Sequence, residues 1–560
     1  MYNILIGGAA GQGIDTTVTI LERLLKKSGY YVYTTKDVMS RVRGGHNFST
    51  IRFGDQAIYS HSNKLDGMIA LNQETISEHR KKLNENGFIL CDAKLQTEDA
   101  KAILLNMEEM AKELGDFRVS GSIAIGAILK LFGENLDYAK EVMSTTVKEA
   151  YIEINMKAIS LGYHLVETRF PRKKGNFQDW MLLSGNSSIA LGAIAAGLRF
   201  YSAYPMSPST SIMEYLASKG TETNIVVEQA EDEIAAINMA IGASFAGARA
   251  MTATSGGGFS LMVEALGLSG IAEIPLVVAN IQRPGPATGL PTRTEQSDLK
   301  FVISASQGEF PRMVIAIKDH RDAFYQTIRA FSLAEKYQIP VILLSDQYLA
   351  DSTATVKPFP LDDFSMEPLP TISNIDAEDI EENYLRYRIT EDGISPRRIP
   401  GETKAFVTAD SDEHDEKGWI TESAQMRIQM MDKRMRKLQN LQQELLEPLF
   451  LGAESCETLF IGWGSTYGPI REAVEILNQD DKGKYGALVF GDVFPLPTRE
   501  LIKYSKTAKT LINVEQNATG QLAGLIREYT GIQCTQSILK YDGRQISAEE
   551  IVQQLQKGGR

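Results

Sequence analysis

Residues 228 to 258 read EQAEDEIAAINMAIGASFAGARAMTATSGGG. Glu228, Glu231, Asp232 and Glu233 stand ahead of a small-residue apolar run that closes on three glycines. Acids in a first helical turn complement the helix dipole, and a carboxylate partly withdrawn from water at the head of such a run is suited to proton transfer. Two loops offer complementary groups. AYPMSPST (203–210) follows a strand pattern, and its prolines stiffen a loop presenting the hydroxyls of Ser207, Ser209 and Thr210, suited to a small polar substrate or to a helix cap. NIQRPGPATGLPTRTEQSDL (280–299) carries Arg283 and Arg293 on a Pro/Gly-rich loop, and the planar guanidinium fork matches a carboxylate. Near the start, GGAAGQG (7–13) sits between a strand and a helix pattern, where backbone N–H groups can hold an anion or simply make a tight turn. Its spacing is G-x-x-G-x-G rather than the dinucleotide G-x-G-x-x-G. RVRGGHN (41–47) offers two arginines and a histidine with the same two alternatives.

These groups must be positioned by strands and helices that alternate. NILIGG, YYVYTT and GFILCD alternate with helical patterns such as DTTVTILERLLKKSG, the rhythm of an α/β domain, which is expected to end near FPRKKGNFQDW. A second α/β region follows, with FYSAYP, NIVVEQ, RAMTAT, IPLVVANI and IPVILLSD as strands, closing near residue 352. Residues 353–448 start proline-rich and acidic and end in a charged helix pattern, so they read as a crossover segment outside the cores. From TLFIGWGSTYG onward the βαβα pattern returns as a third unit. Within the opening stretch, Ala236, Ala240 and Gly242 follow Glu233 by three, seven and nine residues, with Ala243 and Gly247 continuing a small-residue face. That register singles out Glu233 and leaves Glu228 and Glu231 as exposed charges. The SGGG run reads as a loop beside the site.

GGAAGQG, YPMSPST, EDEIAAINMAIGASFAGARAMTATSGGGFSLM, QRPGPATGLPTRTEQSDL, GEFPRMV, YRITEDGISPRRIPG with EHDEKG, and VEQNATGQLAGLIREYTG together resemble the α subunit of 2-oxoacid:ferredoxin oxidoreductases. The likeness is greatest to the 2-oxoglutarate enzymes whose γ-type domain is fused ahead of the α domains. It implies a multi-domain α/β chain: a γ-type domain (1–178), a pyrimidine-binding domain of the thiamin diphosphate type (179–352), the crossover (353–448) and a domain similar to the transketolase C-terminal domain (449–560). In such enzymes a glutamate at the position of Glu233 reaches N1′ of the cofactor's aminopyrimidine, and Pro205 lies on the cofactor side. The resemblance puts Ser207 where the family has the threonine of YPITP, with Met206 for the isoleucine, and makes Tyr204, Ser207 and Arg293 substrate contacts, Arg293 holding the carboxylate. Gly11, Gly13 and Arg43 become an anion or coenzyme A loop.

GDQ, GDV and YDGR do not supply the GDG motif and asparagine that hold Mg²⁺ on the diphosphate. Cys91, Cys456 and Cys534 are too few and too scattered for a disulfide framework, a zinc site or a cluster held by this chain alone. The resemblance therefore implies a β subunit bringing Mg²⁺ and a [4Fe–4S] cluster, ferredoxin as acceptor, coenzyme A as co-substrate and a dimer of αβ pairs. The reaction would be decarboxylation of 2-oxoglutarate to succinyl-CoA. The alternatives are pyruvate or a branched or aromatic 2-oxoacid, a non-catalytic binding subunit, and a nucleotide-dependent dehydrogenase that the glycine spacing disfavours.

A length of 560 residues at roughly 150 per domain predicts three or four domains. The balance of 58 basic against 71 acidic residues, a net charge of −13, argues against nucleic-acid and anionic-membrane partners. With no basic leader and no long uninterrupted apolar run, the expectation is a soluble cytoplasmic protein.

Overall fold

A computed structural model describes all residues except 40–44, 96, 361–383, 402–405, 481–482 and 558–560. The chain divides into two compact units, one of Met1–Ser184, Asp351–Pro358 and Ser547–Glu549, the other of Gly185–Ala350, Phe359–Ile546 and Glu550–Arg560.

The first unit is built on an eight-stranded sheet in the order Ala102–Leu105, Leu83–Asp92, Leu65–Ala70, Tyr2–Ala9, His46–Gly54, Tyr31–Asp37, Thr353–Val356, Met181–Ser184. The opening strand reads as a continuous apolar run because both of its faces are covered. The helix Ile14–Lys27 buries Ile14, Val18, Leu21 and Leu25, an i, i+4, i+7, i+11 stripe, against it. FPRKKGNFQDW packs back onto this unit: the Tyr2 hydroxyl donates to the Pro171 carbonyl at 2.7 Å, and Tyr31 meets Phe177 and Trp180 edge-on. The strand Thr353–Val356 corrects the expected start of the crossover. It pairs with Tyr33 and Thr34 on one side and Met181–Ser184 on the other. Four residues of TATV carry too little periodicity to announce a strand whose partners lie more than a hundred residues upstream.

The second unit holds a seven-stranded sheet, ordered Asp492–Phe494, Met313–Ala316, Pro340–Asp346, Leu276–Gln282, Ala250–Thr254, Phe200–Ala203, Val226–Gln229. All of its pairs are parallel except the edge strand Asp492–Phe494, which comes from the C-terminal region. A five-stranded sheet (Leu449–Gly452, Tyr485–Phe490, Thr458–Trp463, Thr510–Glu515, Gln536–Leu539) completes the unit. Trp463, Phe490 and Leu522 from its layer share one apolar core with Phe259, Leu266 and Leu299.

The proline-rich stretch after Pro358 lies mostly outside the described residues. The charged helix expected at the end of the crossover is Ala424–Leu441, but it is not a solvated face: Lys433, Arg434 and Lys437 are buried with Met430 and Leu441. Glu273, fully buried at φ +51°, pairs with Lys433 at 2.6 Å and Lys437 at 2.5 Å, and Glu413 takes Arg434 at 2.7 Å. The buried Glu273 and the half-buried Glu413 thus turn a solvent pattern inward. No helix among the described residues is long and apolar enough to cross a membrane.

Candidate active site

The strand order of the seven-stranded sheet reverses around Phe200–Ala203. The chain leaves that strand toward Val226–Gln229 on one side, then crosses to Ala250–Thr254 on the other and continues that way to Leu276–Gln282. Loops that depart in opposite directions open a crevice at the carboxyl ends of these strands, the usual ligand position of an open α/β sheet. The three stretches singled out by the sequence leave here: the loops Tyr204–Ser209 and Arg283–Asp298, and Ser255–Gly258.

The helix Glu233–Phe245 begins with Asp232 as its N-cap, the Asp232 carboxylate accepting from the Ala235 amide at 2.7 Å. Glu228 and Glu231 are exposed, whereas Glu233 is 3% exposed. The four acids are therefore divided between cap, solvent and interior. Ala236 and Ala240 are buried, and the Ala236 carbonyl accepts from Ser202 Oγ at 2.6 Å, so this small-residue face lies close against the strand Phe200–Ala203. Gly242 and Gly247 do not extend that face. Gly242 is exposed with open space where a side chain would be, and Gly247 lies beyond the helix at φ +94°.

The SGGG run is not a loop. Ser255 precedes the helix Gly256–Ile271, and the three glycines form its first turn. A Cβ on Gly258 would fall 2.5 Å from Glu233 Oε1 and closer still to Thr254 Oγ1, and one on Gly256 would fall 2.5 Å from Asp298 Oδ2. A Cβ on Gly257 would meet only the Ala287 carbonyl oxygen, at an ordinary contact distance of 3.8 Å. Two of the three glycines thus make room for carboxylates seated at a helix N-terminus. Gly258→Ala in the assembled enzyme is expected to push Glu233 aside and lower kcat on the order of tenfold to a hundredfold. Gly257→Ala serves as the control, expected to leave steady-state kinetics unchanged.

Glu233 Oε1 is buried and has no hydrogen-bond partner among the described residues. A buried acceptor without a donor costs about 1–3 kcal/mol or more when charged, so its retention calls for a partner that the described residues do not supply. Its other neighbour is Arg283. Burial pulls the Arg283 guanidinium below its ordinary range, with the charge of Glu233 opposing that shift. Arg283 Nη1 donates to the Ser207 carbonyl at 2.7 Å, so the arginine that holds the Ser207 loop lies within the electrostatic reach of Glu233. Asp298 is pushed up to about 6 by burial, against a hydrogen bond from Asn280 Nδ2 at 3.2 Å. The sequence singled out the glycine triplet as a loop but not Asp298, nor the division of the triplet into Gly256 and Gly258 against carboxylates and Gly257 away from them.

The other expected positions separate. Ser207 and Tyr204 are exposed at the mouth of the crevice, and Pro205 is half-buried. Ser209 is not presented: it is buried and donates to the Met206 carbonyl at 2.7 Å, and Thr210 starts the next helix. Arg293 is half-buried further along the loop of Arg283, its stem against Gly543. In the first unit, Gly11 and Gly13 adopt φ +94° and +76°, and Gln12 closes the strand-to-helix turn through the Ala9 amide at 2.6 Å and the Leu71 carbonyl at 3.2 Å. Arg43 lies outside the described residues. His46 is no exposed anion ligand: it is buried 2.8 Å from His79, and burial lowers the pKa of both rings, that of His79 to about 3.

Comparison with known proteins sets this geometry in a family. The 2-oxoacid:ferredoxin oxidoreductase subunit alpha of a Sulfolobus species is 35% identical over 621 aligned positions, covering 99% of this chain and 96% of that one. The chain belongs to the 2-oxoacid:ferredoxin oxidoreductase α subunits. Two family models match this α subunit: pyruvate ferredoxin/flavodoxin oxidoreductase over residues 3–165, and the thiamine diphosphate-binding part of pyruvate flavodoxin/ferredoxin oxidoreductase over residues 191–433. The 2-oxoglutarate oxidoreductase subunit KorA of Mycobacterium tuberculosis is 29% identical, covering 87% of this α subunit and 77% of its own length. A solved 2-oxoglutarate:ferredoxin oxidoreductase from Magnetococcus marinus, with 2-oxoglutarate, coenzyme A and succinyl-CoA bound, superposes with a TM-score of 0.92 at 32% identity, covering 99% of both chains. Glu233 and the glycine-lined helix start lie within the thiamine diphosphate-binding match, and a buried acceptor without a donor fits a nitrogen-rich ring cofactor.

Proposed function

We propose that this α subunit acts on 2-oxoglutarate: 2-oxoglutarate, coenzyme A and two oxidised ferredoxins give succinyl-CoA, CO₂, two reduced ferredoxins and a proton. The carrying observation is the unpartnered buried Oε1 of Glu233, in a chain that aligns along 99% of its length with an enzyme solved with 2-oxoglutarate and succinyl-CoA. Bound thiamin diphosphate supplies the nucleophile and electron sink that 2-oxoacid decarboxylation needs. Glu233 would hold the aminopyrimidine at its ring nitrogen N1′ and keep a proton there, and Pro205 would lie on the cofactor side. Arg283 holds the Ser207 loop within the electrostatic reach of that glutamate. Ser207 and Tyr204 line the substrate side, and Arg293 neutralises a substrate carboxylate. A β subunit completes the site with Mg²⁺ and a [4Fe–4S] cluster, within a cytoplasmic dimer of αβ pairs.

The test is co-expression with the β subunit and a panel of 2-oxoacids assayed for coenzyme A-dependent reduction of a viologen dye. The expected result is the highest kcat/KM for 2-oxoglutarate. A preference for pyruvate, the substrate named by the family models, would overturn the substrate assignment, and an absence of any coenzyme A-dependent reduction would favour a binding subunit. In the same complex Arg293→Ala is expected to raise KM for the 2-oxoacid on the order of a hundredfold, since removing one partner of a desolvated charge pair costs about 2–5 kcal/mol. An unchanged KM would remove Arg293 from the substrate.

A further inference from the structure

The loop that carries Arg293 is fixed by the C-terminal region of the same unit. Gly543, at φ +76°, lies so close that a Cβ there would fall 3.2 Å from Arg293 Cβ and 3.4 Å from its Cγ, and its carbonyl accepts from the Thr294 amide at 3.3 Å. Gln296 is held on both sides. Its amide donates to the Gln516 carbonyl at 2.7 Å, its side-chain oxygen accepts from the Gln516 amide at 3.2 Å, and its side-chain nitrogen reaches the Trp463 carbonyl at 2.8 Å. Asp346 links the two ends: it accepts from Thr294 Oγ1 at 3.3 Å and from Ser465 Oγ.

Thr294, Gln296, Asp346, Ser465 and Gln516 are all at most 4% exposed. Joining two layers needs no such buried polar set, because apolar packing of similar volume is often as stable or more so. Directional hydrogen bonds do what apolar contacts do not: they fix a backbone in one place. They converge on the residues directly after Arg293, and Gly543 touches its stem.

We infer that the transketolase-like C-terminal region is a positioning clamp for Arg293, with Gly543, Gln516 and Ser465 as its positioning residues. The inference rests on the reading of Arg293 as the substrate-carboxylate ligand. A carboxylate clamp displaced by about 1 Å can lose on the order of a hundredfold in efficiency, so the clamp sets substrate affinity from outside the crevice.

The test is a double-mutant cycle in the αβ complex with 2-oxoglutarate as the varied substrate. Gly543→Ala is expected to raise KM about tenfold while kcat stays within about twofold. In an Arg293→Ala background the same substitution should change KM by less than about twofold, because coupled residues are not additive. Ser465→Ala, which removes one hydroxyl without adding bulk, should raise KM a few-fold in wild type and not in Arg293→Ala. It serves as the reporter if Gly543→Ala fails to assemble by thermal melting. Equal KM effects in both backgrounds, or none in wild type, overturn the clamp while leaving the Arg293 reading intact. An Arg293→Ala complex with an unchanged KM overturns both.

Discussion

In the assembled complex, Glu233→Gln is expected to lower kcat on the order of 10²–10⁴-fold, the usual worth of a positioned acid–base group. The substitution keeps the shape of the side chain, and the helix start survives because the cap belongs to Asp232. What changes is the group facing the site. A carboxylate that is buried and has an oxygen unpartnered among the described residues becomes an amide that cannot hold or release a proton. KM for the 2-oxoacid should move little, since no substrate contact is removed. Steady-state kinetics with a viologen dye, with melting curves to show assembly, decide it. Turnover within about twofold of wild type would show that proton transfer at this position is not needed. Glu231→Gln, at an exposed position, should be silent.

Glu273→Gln is expected to have the largest effect on stability, a loss of roughly 3–5 kcal/mol, because it leaves buried cations without their counter-charge. Lys433 and Lys437 both pair with this carboxylate and are at most 1% exposed, and Arg386, 3% exposed, donates to the Glu273 carbonyl at 2.8 Å. Burial pushes the Glu273 carboxyl up, but Lys433, Lys437 and Arg386 outweigh it and hold the group below the ordinary carboxylate range. Burial also brings Lys433 down to about 8, with Glu273 opposing. A depressed folded-state pKa means that the carboxylate's contribution is present above its unfolded value of 4.5 and is lost as pH falls toward the folded one. The gap between wild type and Glu273→Gln in urea unfolding should therefore be widest near neutral pH and narrow below about pH 4.5. A gap under about 1 kcal/mol at pH 7 would place this cluster with exposed ion pairs rather than buried ones.

The parallel sheets were legible because strands covered on both faces must be apolar along their whole length, as in IPLVVANI and IPVILLSD. The start of the helix at Glu233 was nearly legible, because an Asp cap followed by small helix formers is a local signal. The glycine triplet was not legible. Glycine has poor helix propensity, so Ser255–Gly258 reads as a loop until Glu233 and Asp298, from elsewhere in the chain, are seen to occupy the space its side chains would fill. The helix Ala424–Leu441 misled for the opposite reason. Lysines and arginines at helical spacing normally face water, and only Glu273 and Glu413, on other elements, make their burial tolerable.

By itself the sequence determined the α/β alternation, the order of the loops that carry acids, hydroxyls and arginines, and the family to which they belong, because turn chemistry and periodicity are written locally. Only the tertiary structure decided which of four neighbouring carboxylates is buried without a partner among the described residues, that Arg283 holds the Ser207 loop, and that the C-terminal sheet grips the loop of Arg293. Those properties depend on desolvation and on distance in space, and neither is set by separation along the chain.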